Sequence, residues 1–103
     1  MWIFTNRGFL SIIQDFRDQD TLIVRSRFPD HIQNLFPGAK ITKTTSRDYL
    51  YRTLLPRQEV VDMLKKYTEE MDYTNFKDSV DEPVYQRACS EVCLLYTSDA
   101  ADE

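Results

Sequence analysis

The chain has 103 residues, 17 acidic against 13 basic, a formal charge of −4, and 42% hydrophobic and 13% aromatic side chains. That apolar share supplies a core and excludes intrinsic disorder, and the length predicts one domain. Two glycines, four prolines and two cysteines exclude a loop-rich disulfide scaffold, and no apolar run is long enough to span a bilayer.

Met1 to Gly8 shows no basic leader, apolar h-region or small-residue cleavage site, so the expected compartment is the cytoplasm. Trp2–Phe4 and Phe9–Gln14 are apolar and β-rich, broken at the turn signal Asn6-Arg7-Gly8. Asp15 to Asp20 reads as a polar connection, and Thr21–Arg27 as a strand forming a hairpin with the preceding run. Pro29 opens a short helix with Ile32, Leu35 and Phe36 on one face, and Pro37-Gly38 ends it. Lys40–Thr45 is β-branched but polar, the profile of an edge strand whose lysines discourage further pairing. Tyr49–Leu55 is a strand, and Pro56 opens a helix from about Arg57 to Met71. Its predicted apolar stripe is Val60, Val61, Leu64, Thr68 and Met71. Asp72–Asn75 is a break, with Tyr73 and Phe76 expected to plug the core while Asn75 bonds the backbone. Pro83 starts a last helix through Val84, Ala88 and Val92.

The expected fold is α+β: a small two-layer sandwich over residues 1–92, with an antiparallel or mixed sheet. The order ββαββα plus a terminal helix fits a permuted ferredoxin-like arrangement. Leu22–Arg27 and Tyr49–Leu55 would then be parallel central strands, with helices on one face of the sheet and the other face open.

The last eleven residues, Cys93 to Glu103, read CLLYTSDAADE. This string resembles the conceptual translation of a transposon-based sequencing-library adaptor, which implies a non-native, disordered tail. Setting aside Asp99, Asp102 and Glu103 brings the charge close to neutrality, so acidity carries no information about partners. Cys89 and Cys93 have helical spacing, but a metal site needs three or four ligands, so no metal is expected. Cys89 reads as a small apolar residue in a helix.

The segments MWIFTNRGFLS (Met1–Ser11), DYLYRTLLPR (Asp48–Arg57) and DYTNFKDSV (Asp72–Val80) together resemble a family of short bacterial and phage-associated proteins without an assigned function. Arg25-Ser26-Arg27 supplies that family's R-x-R. Tyr85-Gln86-Arg87 resembles its closing Y-x-R-x-W, with Cys89 in place of the tryptophan. The resemblance implies no activity and transfers no catalytic residue.

Arginine with tyrosine is the distinctive pattern. If Leu22 and Val24 face the helices, alternation sends Ile23, Arg25 and Arg27 to the open face. If Tyr49, Tyr51 and Leu55 also face inward, Leu50, Arg52 and Leu54 join them. Guanidiniums among aliphatics can fork onto carboxylates or phosphates while excluding water. The alternative is a solvated strand face, or arginines paired with acids of the same chain. His31 reads as a lone surface histidine without a companion nucleophile, and no phosphate loop, zinc signature or nucleophile elbow occurs. The expected function is non-enzymatic: an accessory or regulatory protein that binds a protein partner, or itself, through the open face, with no cofactor. The second reading is nucleic-acid or nucleotide binding on the same face. A nearly neutral chain and the absence of an RNA-recognition aromatic motif weigh against it.

Overall fold

The computed structural model describes residues 1–96 and shows an α+β chain in two compact units, Met1–Met71 and the segment from Asp72 onward. The first unit holds a five-stranded sheet. Strand β1 (Trp2–Thr5) pairs antiparallel with β2 (Gly8–Asp15) across the Asn6-Arg7 turn, where the Thr5 hydroxyl accepts from the Arg7 and Gly8 amides, both at 3.1 Å. Strand β2 turns at Phe16-Arg17 into β3 (Asp18–Ser26). The polar stretch expected to be a connection is therefore mostly strand. Its side chains lock the turn: Asp15 accepts from the Arg17 amide and guanidinium, and Asp18 accepts from the Asp20 amide and the Thr21 hydroxyl.

After β3 come α1 (His31–Leu35), the two-residue edge strand β4 (Thr42–Lys43), β5 (Tyr51–Pro56) and α2 (Arg57–Glu69). The sheet order is β1-β2-β3-β5-β4 and every neighbouring pair is antiparallel. The expected parallel pairing of the β3 and β5 segments, and with it the permuted ferredoxin-like arrangement, is thus corrected. Phe36 is in the core, and Ala39 and Ile41 pack against it. These residues hold the crossing segment under the sheet, and the chain emerges beyond the place β5 fills. Strand β4 then runs the same way as β3, and β5 turns back between them. The lysine-bearing strand does lie at the edge, as its composition predicted.

Strand alternation separates two faces. Leu10, Ile12, Leu22, Val24 and Leu55 point to one side, where they meet Ile32 and Phe36 of α1 and its C-terminal end and Val60 of α2. Each such aliphatic, fully buried, contributes roughly 1.5–3 kcal/mol of transfer free energy. The α2 face departs from the predicted stripe. Val60, Met63 and Leu64 turn toward the core, whereas Val61, Thr68 and Met71 are exposed. Tyr67 decides this rotation, because its hydroxyl bonds the Asn6 side chain and accepts the Asn6 amide at 3.0 Å. The i, i+3, i+4, i+7 row Val60, Met63, Leu64, Tyr67 wins over one drawn from hydropathy alone.

His31 is buried at 4% exposure, not a surface residue. Its Nδ1 accepts the Phe9 amide at 3.0 Å and its ring stacks on Phe28. Gly8 makes room for it: a Cβ there would lie 2.7 Å from His31 Cβ and Cγ.

In the second unit, α3 (Phe76–Ser79) follows Asn75, whose side chain caps it by accepting the Asp78 amide at 3.0 Å. The Tyr73 and Phe76 rings meet edge to face at 6.0 Å. Helix α4 (Pro83–Tyr96) starts at the expected proline, and Glu82 accepts the Val84 and Tyr85 amides of its first turn. Among its described side chains the buried ones are Tyr85 and Cys89, at i, i+4, while Val84 is exposed. Burial pushes the Cys89 thiol pKa up, which suits the apolar role read for it. The helix continues to Tyr96, so Cys93–Tyr96 are helical where a disordered tail was expected; good helix formers such as Leu94 and Leu95 extend the turn. The rest of that segment lies outside the described residues. No described helix is long and apolar enough to cross a membrane.

Candidate binding face

The register of β2, β3 and β5 builds two cross-strand rows on the face opposite α1 and α2. Ile13 pairs with Ile23, and Ile23 with Leu54. One step along, Ser11 pairs with Arg25, and Arg25 with Arg52. An aliphatic row therefore lies beside a guanidinium row. Ile13 is 41% and Leu54 53% exposed. Alternation placed Ile23, Arg25, Arg52 and Leu54 together, and the register agrees. Arg27 lies just past the end of β3 and reaches the same area through Tyr49.

Tyr49 was expected to face inward. Instead the Arg25 and Arg27 guanidiniums lie over its ring, 4.8 and 5.1 Å from the centroid. The residues from Ser46 to Leu50 are bends and coil, so strand parity, counted back from Tyr51, does not extend to Tyr49. For the same reason Leu50 lies outside β5. It is half-buried, its carbonyl accepting the Thr44 amide at 2.7 Å, and it does not join the cross-strand rows.

The aromatic flank was not foreseen. Phe9 stacks on Phe4 at 4.4 Å, meets Trp2 edge to face at 5.7 Å and approaches Tyr49 at 6.3 Å. Trp2 is 66% exposed. Its signal was present in the period-2 spacing of Trp2 and Phe4 against Phe9, Ser11 and Ile13, once the first turn is read as two residues.

The electrostatics of the guanidinium row are unbalanced. Arg25 donates to the Ser11 hydroxyl at 2.6 Å, but its Nε and that of Arg52 are buried without a hydrogen-bond partner. None of Arg25, Arg27, Arg47 and Arg52 forms an ion pair with a carboxylate among the described residues; the pair at Arg17 and Asp15 lies at the hairpin turn. Burial, and then the charges of Arg47 and Arg25, push the Arg52 pKa down. Beside Arg52 runs a cleft of about 640 Å³, lined among others by Ile23, Thr42, Leu54 and Lys40; Glu59 also lines it without pairing to an arginine. Among the described residues no group of three or more His, Cys, Asp or Glu is placed to hold a metal. The arrangement carries no nucleophile–base pair. It can bind, through apolar contact and forked hydrogen bonds to an anion.

Fold and face together define a small α+β chain that presents an arginine–aliphatic sheet surface with an aromatic flank. Compared with known proteins, it matches no family model, no curated protein and no solved structure.

Proposed function

We propose that this chain is a non-enzymatic binding protein that takes an acidic protein partner on the open face of its sheet. The observation that carries this reading is the pairing of Arg25 with Arg52 without a carboxylate among the described residues to neutralise them. Arginines held for internal ion pairs would have found one of the many available acids. The adjoining Ile13–Ile23–Leu54 row supplies apolar area that strengthens charge-assisted contacts by excluding water. Self-association centred on this face is disfavoured, because a two-fold contact would bring the guanidinium pair against its own copy.

A second reading, single-stranded nucleic acid, draws support from exposed Trp2 and from the arginines over Tyr49. It ranks lower because the central-strand positions that would stack bases carry Ser11, Ile13 and Ile23.

Both readings meet in one capture experiment on extract with and without nuclease treatment. It compares the wild-type chain with Arg25→Gln/Arg27→Gln/Arg52→Gln and with Ile23→Ser/Leu54→Ser, each checked for folding by a thermal melt. The expected result is a defined protein set held by the wild type and lost by both variants. Retention of that set by both variants would overturn the proposal, and loss of all binding on nuclease treatment would transfer it to nucleic acid.

A further inference from the structure

We infer that Arg25 and Arg52 form a receptor for a phosphoryl dianion, with Arg47 adding long-range positive charge and Ser11 orienting one guanidinium. This rests on the open face being a docking surface for protein and names the group that the surface reads. The two arginines stand opposite each other on neighbouring strands, an arrangement that is unfavourable for like charges in the absence of a ligand. The structure nevertheless fixes one of them and half-buries the other. Arg25 is held by the Ser11 hydroxyl at 2.6 Å and by the Tyr49 ring beneath it. Both Nε groups are buried without an acceptor, so neither guanidinium is fully hydrogen-bonded among the described residues. The positive charges of Arg25 and Arg47 act on Arg52 together.

A single carboxylate offers one negative charge and two oxygens, which one arginine fork already satisfies. A phosphate monoester offers close to two charges and three free oxygens. It can accept from the terminal guanidinium nitrogens of Arg25 and of Arg52 on different oxygens while offsetting their mutual repulsion. The flanking Ile23 and Leu54 then take the apolar neighbours of the modified side chain. Charge count, donor geometry and the cleft beside Arg52 converge on that chemistry.

The test is calorimetric titration of the full chain with inorganic phosphate, with acetate at equal ionic strength, and with a short peptide carrying phosphoserine between leucines. Saturable binding of phosphate but not of acetate is expected. Arg25→Gln and Arg52→Gln should each weaken it roughly tenfold to a hundredfold, the range for losing a charge-assisted hydrogen bond. Arg52→Lys, which keeps the charge without the fork, should weaken it as well, and melts confirm that each variant folds. Phosphopeptide binding tighter than free phosphate assigns the group to a protein; equal binding assigns free phosphate as the ligand. Absence of saturable phosphate binding, or equal binding of acetate, overturns the receptor and leaves the capture result above to stand on carboxylates. A single-stranded oligonucleotide that displaces the phosphopeptide overturns the assignment to a protein-borne group. If phosphate binds but the capture experiment fails, the receptor stands and the protein-partner reading falls.

Discussion

Arg25 and Arg52 face each other across the β3–β5 ladder, and neither is neutralised by a carboxylate of the described residues. Like charges directly opposite on neighbouring strands cost on the order of 0.2–1 kcal/mol. Arg52→Gln is therefore expected to leave the melting temperature unchanged or raise it by a few degrees at low salt, with the gain shrinking as salt is added. A drop of several degrees in a salt-dependent manner would show that Arg52 is paired internally after all.

Gly8 and His31 are packed so closely that no side chain fits between them. Gly8→Ala forces a shift of the His31 backbone or the first hairpin, and should cost roughly 1–3 kcal/mol as an overpacking change. In a His31→Ala background the same substitution should cost less, and the difference is read from a double-mutant cycle by urea denaturation. Equal costs in the two backgrounds would mean that the strain lies elsewhere.

Leu10 is fully buried at the centre of the inner face, while Leu64 packs against the core from partial exposure. Leu10→Ala should fall within the roughly 2–5 kcal/mol seen for buried leucine truncation, and Leu64→Ala at or below the lower end of that range. Chemical denaturation that reverses the order would contradict the orientation of α2.

Hydrogen bonds from Arg17 hold the Asp15 carboxyl below its ordinary pKa, and the same residue's charge acts in the same direction. A folded-state pKa below the unfolded value means that the unfolded chain binds more protons in that range. The stabilisation is present above the ordinary value of 3.8 and is lost as pH falls through the folded one. Arg17→Ala should lower stability above pH 3.8, where this contribution is present, and so flatten the acid limb of a stability–pH profile while leaving its most acidic end little changed. An unaltered acid limb would show that Asp15 does not depend on Arg17.

Much of this chain was legible from local pattern. The alternation in Thr21–Arg27 places Leu22 and Val24 inward and Ile23 and Arg25 outward because successive strand residues must point to opposite sides. Pro56 and Pro83 mark helix starts because proline loses nothing at a first helical position. The α+β class and the edge position of the Lys43 strand follow from composition and period in the same way. Strand direction does not, because a sequence pattern is the same read into a parallel or an antiparallel neighbour. Only the path of Phe36, Ala39 and Ile41 beneath the sheet made β3 and β5 antiparallel. Pattern was also silent where chemistry acts over distance. Tyr67 rotates α2 by bonding Asn6, sixty-one residues away. His31 is buried because Gly8, on another element, has no side chain. Tyr49 joins the arginines because irregular backbone ends the strand parity just before it. Local periodicity determined which residues face the same way along one strand. Tertiary packing decided which strands are neighbours, and so brought Arg25 to Arg52.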